Sequence, residues 1–169
     1  MSRFTPTLHL HRFTQVTPAL LHSLGVQAVI TDLDDTLAAR DCPTPEEEVS
    51  AWVKRLTQAG IRIMIVSNNS KKRTERFASP LGIPWIARAQ KPAKKAVFRG
   101  IEQLGATKET VLLLGDQLFT DAAAAKACGI RMILVDPLGR YGGWFVQLKR
   151  ALETPWRKKI PYSELPEEK

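Results

Sequence analysis

Cysteine is scarce here: Cys42 and Cys128 are the only two among 169 residues. Two thiols supply neither a framework of disulfides nor a zinc knuckle, and such usage fits a reducing compartment. Histidine is nearly as rare. His9, His11 and His22 all precede the first long apolar run and match no metal spacing, so surface positions are expected for them. Long apolar runs are missing: none approaches the roughly 20 residues that cross a bilayer as a helix. Residues 1–11 carry no apolar stretch ending in a small-residue cleavage site, which argues against a secretory signal and for a cytoplasmic location. Acid is in deficit, with 17 Asp+Glu against 25 Lys+Arg and a net charge of +8. A surface of that sign attracts phosphorylated ligands, nucleic acid or anionic lipid headgroups without choosing among them.

What is present is ordinary globular material, 44% hydrophobic and 25% charged, of a length that suits one domain. Short, mostly apolar runs at Val26–Thr31, Ile61–Val66, Val111–Leu114 and Arg131–Val135, with a weaker one at Pro84–Ala87, alternate with helical patterns. Runs that are apolar throughout, not at every second residue, suit strands covered on both faces. Thr17-Pro18 and Gly25 bracket one helix; Thr44, Pro45 and the acids Glu46 to Glu48 open a second, with Val49, Trp52, Val53 and Leu56 on its apolar face. Val97, Ile101 and Leu104 mark a third, and Asp121–Cys128 a fourth. The order βαβαβαβαβ predicts a doubly wound, Rossmann-like α/β fold: a parallel sheet in a three-layer α/β/α sandwich. A single domain over 1–169 is expected, with its core at about 15–137 and a basic, aromatic segment at about 138–169. The last residues, 166–169, are expected to fray.

Open parallel sheets bind ligands beyond the carboxyl ends of their strands. There the sequence places Asp32-Leu33-Asp34-Asp35-Thr36-Leu37, then Ser67-Asn68-Asn69, then Lys91-Pro92, then Gly115-Asp116-Gln117 with Asp121 five residues past Asp116. In an extended chain Asp32 and Asp34 point to the same side. Their mutual repulsion would be relieved by a divalent cation held by Asp32 and Asp116, and oxygen donors without His or Cys favour Mg²⁺. An ionised Asp32 beside that ion can attack phosphorus, giving an aspartyl-phosphate, while Asp34 protonates the leaving alcohol and later activates water. Ser67, Asn68 and Lys91 are the candidates for binding the phosphoryl oxygens. Lys91 is preferred to Lys94 and Lys95 because it directly precedes Pro92. Ser67 and Asn68 can alternatively cap the next helix, as can Asp121.

These four segments resemble, in order and spacing, the four motifs of the haloacid dehalogenase superfamily: DLDDTL after an apolar strand, SNN, a Lys-Pro pair, and GDQLFTD. The resemblance covers about Val26 to Asp136. It implies a nucleophile at Asp32, an acid/base at Asp34, and Mg²⁺ held by Asp32, the backbone carbonyl of Asp34, and Asp116. Asp121 then supports the metal shell or Lys91, with Thr36 also in support. More narrowly, the N-terminal helix ending at Gly25 and the GDQLFTD form are similar to the YqeG-type, class IIIA branch, itself similar to mitochondrial phosphatidylglycerophosphate phosphatases. Asp35 departs from the Asn frequent at that position, and its side chain is expected to point away from the site.

Caps in that superfamily follow the first motif or lie between the second and third. Only Leu37 to Thr44 separates the first motif from its helix, and Asn68 to Lys91 holds one helix and one strand, so the site is expected to be capless and open. An open site admits a phosphomonoester carried on something large, such as a lipid. The tail interleaves Trp144, Phe145, Leu148, Leu152 and Trp156 with Arg140, Lys149, Arg150, Arg157, Lys158 and Lys159. It reads either as an interfacial segment, holding the site with the Lys71–Arg76 cluster against an anionic membrane at its inner face, or as a helix packed on the sheet. The expected substrate is phosphatidylglycerophosphate. The rivals are a soluble sugar, nucleotide or nucleic-acid-end phosphate, and a receiver-like domain phosphorylated without hydrolysis. Receivers place the accepting Asp after a middle strand, where Ser67 stands, and no aromatic-bearing strand or helix-turn-helix cue supports a nucleic-acid module.

Overall fold

A computed structural model describes residues 5–139 and 143–165, so Arg140 and the expected fraying at 166–169 lie outside the described residues. Along the chain run β1 (Leu8–Leu10), α1 (Pro18–Ser23), β2 (Ala28–Thr31), α2 (Glu47–Gln58), β3 (Arg62–Val66), α3 (Lys71–Ala78), β4 (Trp85–Ile86), α4 (Lys94–Gln103), β5 (Val111–Gly115), α5 (Ala123–Cys128), β6 (Arg131–Val135) and α6 (Trp144–Arg157). The strands form one six-stranded sheet in the order β1-β6-β5-β2-β3-β4, every neighbouring pair parallel.

The uniformly apolar runs are central strands, as their composition requires. Every residue of β2 and β5 is buried, and β3 and β6 are buried after their first residue. Two apolar layers cover the sheet. One gathers Phe13, Leu21, Trp52, Leu56 and Phe77 from the side of α1, α2 and α3; the other gathers Val97, Ile101 and Ala124 from α4 and α5. Trp52, on the predicted face of α2, meets Phe13 edge-on at 5.3 Å and donates its indole N–H to the Val16 carbonyl at 2.9 Å. Burying a side chain of that size contributes about 3 kcal/mol, and the hydrogen bond removes the cost of its polar end. Gly100 lets α4 close on the sheet: a Cβ there would press on Ile30 and Met64. From β2 the chain crosses first to β3 and later to β5 on the other side, which opens a crevice at the carboxyl ends of these three strands.

The structure departs from the sequence reading in several places. Leu8–Leu10 is a sixth strand on the edge beside β6, before the expected start of the core near 15. It carries His9 into the interior, 3% exposed, where the ring stacks on Tyr162 at 4.2 Å; the surface expectation holds for His11 and His22. The second helix begins at Glu47, with Glu46 at its N-cap. Asp121 does not cap an α-helix. It lies inside a π-helical turn, Leu118–Ala122, that precedes α5. Ser70, not Ser67 or Asn68, caps α3 by accepting the Arg73 N–H. Between β3 and α4 there is only α3, one 3₁₀ turn and β4, and β4 joins the main sheet, so no inserted domain stands over the crevice.

Candidate active site

The crevice floor is built by strand ends. The Asp32 amide donates to the Leu114 carbonyl at 2.8 Å, so β2 delivers this side chain at the last rung of its ladder with β5. Asp116 follows β5 directly, and its Oδ1 accepts the Thr36 hydroxyl at 3.0 Å. Asp121 comes back from the π-helical turn. Its carboxylate lies where a Cβ on residue 115 would go, which is why that strand end is glycine. One carboxylate oxygen from each of Asp32, Asp116 and Asp121 lies within 4.8 Å of the other two, and all three residues are buried.

Lys91 brings the compensating charge. Its ammonium donates to Asp32 Oδ1 at 3.0 Å and Asp121 Oδ1 at 2.7 Å, and the side chain is only 2% exposed. The loop carrying it is fastened to the end of β3. Arg88 N–H donates to the Asn69 carbonyl, Ala89 N–H to the Ser67 carbonyl, and Asn68 takes both backbone groups of Lys91 with its amide. Arg88 and Gln90 adopt positive φ, +50° and +56°, a left-handed backbone that costs non-glycine residues of order 1 kcal/mol and that the fastening maintains. Lys94 and Lys95 sit in the first turn of α4, and neither is among the ion pairs of the cluster.

The electrostatics follow from three carboxylates facing one ammonium out of water. Burial pushes Asp32 up to about 7; Lys91 opposes the rise and Asp121 adds to it. Burial and the charges of Asp32 and Asp121 also hold Asp116 well above the usual carboxylate range. For Lys91 burial works against the charge, but Asp121 and Asp32 outweigh it and the ammonium is held more firmly than usual. A cluster so acid-rich, made of oxygen donors alone, fits a hard divalent cation such as Mg²⁺.

Asp34 is buried and lines the same cavity as Asp32, yet its carboxylate is not part of the three-acid cluster. Arg73 donates to its Oδ1 from Nε and Nη2 at 3.2 and 3.1 Å, and Asn69 donates to its Oδ2 at 2.7 Å. Asp35, at φ +65°, turns its buried carboxylate to Arg40 and Arg150, each 2.8 Å away. Ser67 is buried, accepts the Asn69 N–H, and lines the cavity. Asn68 lines it too, although its amide is spent on Lys91. The cavity holds about 310 Å³; its far wall is Gln117 and Thr120, with Phe145, Val146 and Lys149 from α6.

Thus Asp32, Lys91, Asp116 and Asp121 meet at the floor, Thr36 braces Asp116, and Asp34 and Ser67 stand on the wall. Sequence reasoning missed Arg73, Asn69 and the α6 residues. Asn69 had a signal in the SNN run itself. Arg73 falls within the Lys71–Arg76 cluster expected to face a membrane, and nothing local distinguishes an arginine that turns inward by one helical step.

Comparison with known proteins supplies the family. A family model for haloacid dehalogenase-like hydrolases matches residues 5–129. The chain is 35% identical over 150 residues to the probable phosphatase YqeG of Bacillus subtilis, covering 89% of this chain and 87% of that protein. Among solved structures it is similar to the cobalt-bound deoxy-D-mannose-octulosonate 8-phosphate phosphatase of Haemophilus influenzae, with TM-score 0.57, 21% identity, and 80% and 91% of the two chains covered. The corresponding phosphatase of Moraxella catarrhalis, solved with magnesium, phosphate and its sugar, overlays with TM-score 0.53 at 19% identity over 71% of this chain and 75% of that one. At those identities the overlays speak for the fold. With its parallel sheet, its acid cluster and these relatives, the chain belongs to the haloacid dehalogenase-like hydrolases and is a phosphatase of that family.

Proposed function

We propose that the protein is a Mg²⁺-dependent phosphomonoester hydrolase that works through an aspartyl-phosphate on Asp32, with phosphatidylglycerophosphate as its substrate and phosphatidylglycerol and phosphate as products. The observation that carries the reading is the buried Asp32–Lys91–Asp121 arrangement beside Asp116 at the floor of an open cavity. Asp32, Asp116 and the backbone carbonyl of Asp34 would hold the ion. Bound there, it supplies positive charge against the phosphoryl oxygens and against the crowded carboxylates.

The residues then divide the work. A carboxylate oxygen of Asp32 forms the bond to phosphorus as the bond to the leaving alcohol oxygen breaks, and Asp34 gives that oxygen its proton. Lys91 and Ser67 stabilise the equatorial oxygens. Asn68 contributes by fixing the backbone of Lys91, while Arg73 and Asn69 set the direction of the Asp34 carboxylate. Water, deprotonated by Asp34, then attacks phosphorus, releases inorganic phosphate and restores Asp32.

The lipid assignment is supported by the absence of any inserted domain between β3 and α4 and by the apolar side chains of α6 at the cavity wall. It places the protein in the cytoplasm, in peripheral contact with the inner face of an anionic membrane through the C-terminal segment. No helix among the described residues is long and apolar enough to cross a membrane. The test is phosphate release across a panel of phosphatidylglycerophosphate in mixed micelles, simple sugar phosphates and a phosphorylated peptide. Preferential turnover of the lipid is expected. Equal or faster turnover of a sugar phosphate would replace the lipid by a soluble ester.

A further inference from the structure

Helix α6 is folded inside out. Trp144, Leu148, Leu152 and Trp156 recur every four residues and form one stripe with Phe145 beside it. All five are exposed, Trp144 at 78%. The opposite stripe, Val146, Arg150, Glu153 and Arg157, faces the protein and is mostly charged. A helix resting on a soluble domain ordinarily does the reverse. The charged side is not idle. Arg150 pairs with Asp35 and donates to the Gly139 carbonyl at 2.7 Å; Glu153 Oε1 accepts the Phe119 N–H at 2.8 Å; Arg157 donates to the Asp116 carbonyl at 2.6 Å. These contacts reach the residue after Asp34, the residue that follows β5, and the π-helical turn that holds Asp121.

We infer that the outer face of α6 docks on an anionic bilayer, and that docking raises catalysis by holding the inner, charged face on the two acid-bearing segments, the one after β2 and the one after β5. The inference rests on the reading of the site as a phosphatase, not on which ester it cleaves. A lipid surface is chosen over a second copy by charge. Exposed Lys158 and Lys159 follow the helix, exposed Lys71 and Lys72 begin α3 just past the cavity-lining Asn69, and the chain carries +8. A second copy would bring an equal positive charge against these groups, whereas anionic headgroups complement them. The exposed apolar face also reaches the cavity wall, since Phe145 belongs to both. A bilayer meeting this face therefore lies against the catalytic opening.

The experiment uses the full chain with Mg²⁺ and p-nitrophenyl phosphate, a water-soluble monoester. Turnover is measured with and without vesicles of phosphatidylcholine, or of phosphatidylcholine with phosphatidylserine, neither of which contains a phosphomonoester. Anionic vesicles are expected to bind the protein and raise kcat/KM on the order of 10-fold, a usual size for coupling between two sites; neutral vesicles do neither. The double variant L148D/L152D, whose substitutions lie on exposed positions away from the acid cluster, is expected to lose vesicle binding and stimulation while keeping the rate in solution and its far-ultraviolet circular dichroism. Vesicle binding without a change in rate would overturn the coupling. Absence of binding would overturn the docking, as would self-association in sedimentation velocity that the double variant abolishes. The assay is independent of the lipid-substrate assignment: vesicles can stimulate a soluble ester even if phosphatidylglycerophosphate is not turned over. Soluble-ester turnover that persists in Asp32→Asn would instead remove the catalytic reading itself.

Discussion

The Lys91 ammonium and the Asp121 carboxylate meet at 2.7 Å with both side chains shut from solvent, so a cation that begins one helix's approach and an acid from a distant turn are locked as one unit. Breaking such a pair from one side strands the other charge. Lys91→Met is therefore expected to cost about 3–5 kcal/mol of unfolding free energy in the metal-free protein, read from urea denaturation at neutral pH. A loss below about 1 kcal/mol would mean that the carboxylates shed their charge by taking up protons.

Removing the proposed nucleophile has the opposite balance. Asp32→Asn takes one negative charge from a crowded floor, so the fold is expected to be at least as stable as before. Turnover of any phosphomonoester is expected to fall by roughly 10⁴-fold or more, as when a nucleophile is deleted from a catalytic unit. Asp34→Asn, which keeps shape and would lose the proposed proton transfer, is expected to lose about 10²–10⁴-fold. Phosphate release together with thermal melts separates these outcomes.

The raised position of Asp32 sets the sign of a pH effect. Unfolded, its carboxyl ionises near pH 4; folded without metal, near 7. Between those values the native state keeps a proton that the unfolded chain has lost, so this group's contribution to stability falls as pH rises across the window. Mg²⁺ held by the cluster would compete with that proton, and its stabilisation is expected to grow from pH 5 to pH 8. Melting temperature with and without Mg²⁺ over that range checks the prediction; a metal increment that is flat with pH would contradict it.

Gly115 tests the space beneath the cluster. In Gly115→Ala the new methyl overlaps the Asp121 carboxylate, so Asp121 has to move and Lys91 moves with it. Overpacking of this kind costs about 1–3 kcal/mol, and turnover is expected to fall more steeply than stability. Gly100→Ala, pressing only on Ile30 and Met64 in the core, serves as the comparison: stability lost, turnover per folded molecule kept.

The central strands and the acids at their ends could be read from sequence because burial on both faces leaves a run of apolar residues, and a parallel sheet puts functional side chains directly after it. Lys91 was legible through the Lys-Pro pair, because the proline that follows it separates it from Lys94 and Lys95. The edge strand at Leu8–Leu10 was hidden: three residues, one of them histidine, give no periodicity, and His9 is interior only because residues beyond 150 cover it. The π-helical turn at Leu118–Ala122 looked like the start of an Ala-rich α-helix, because widening by one residue per turn leaves no mark in composition. For α6 the sequence showed amphipathicity without its direction. Which stripe faces inward was decided by Asp35, the Asp116 carbonyl and the Phe119 N–H, groups far away in the chain that need polar partners.

His9 donates its amide to the Ser163 hydroxyl and accepts the Ser163 amide, a contact bridging 154 residues. The outer flank of β1 is thus finished by a residue synthesised 154 positions after it. During synthesis that flank stands bare until the C-terminal stretch arrives, and for that interval β1 is an open template to which a neighbouring nascent chain can add.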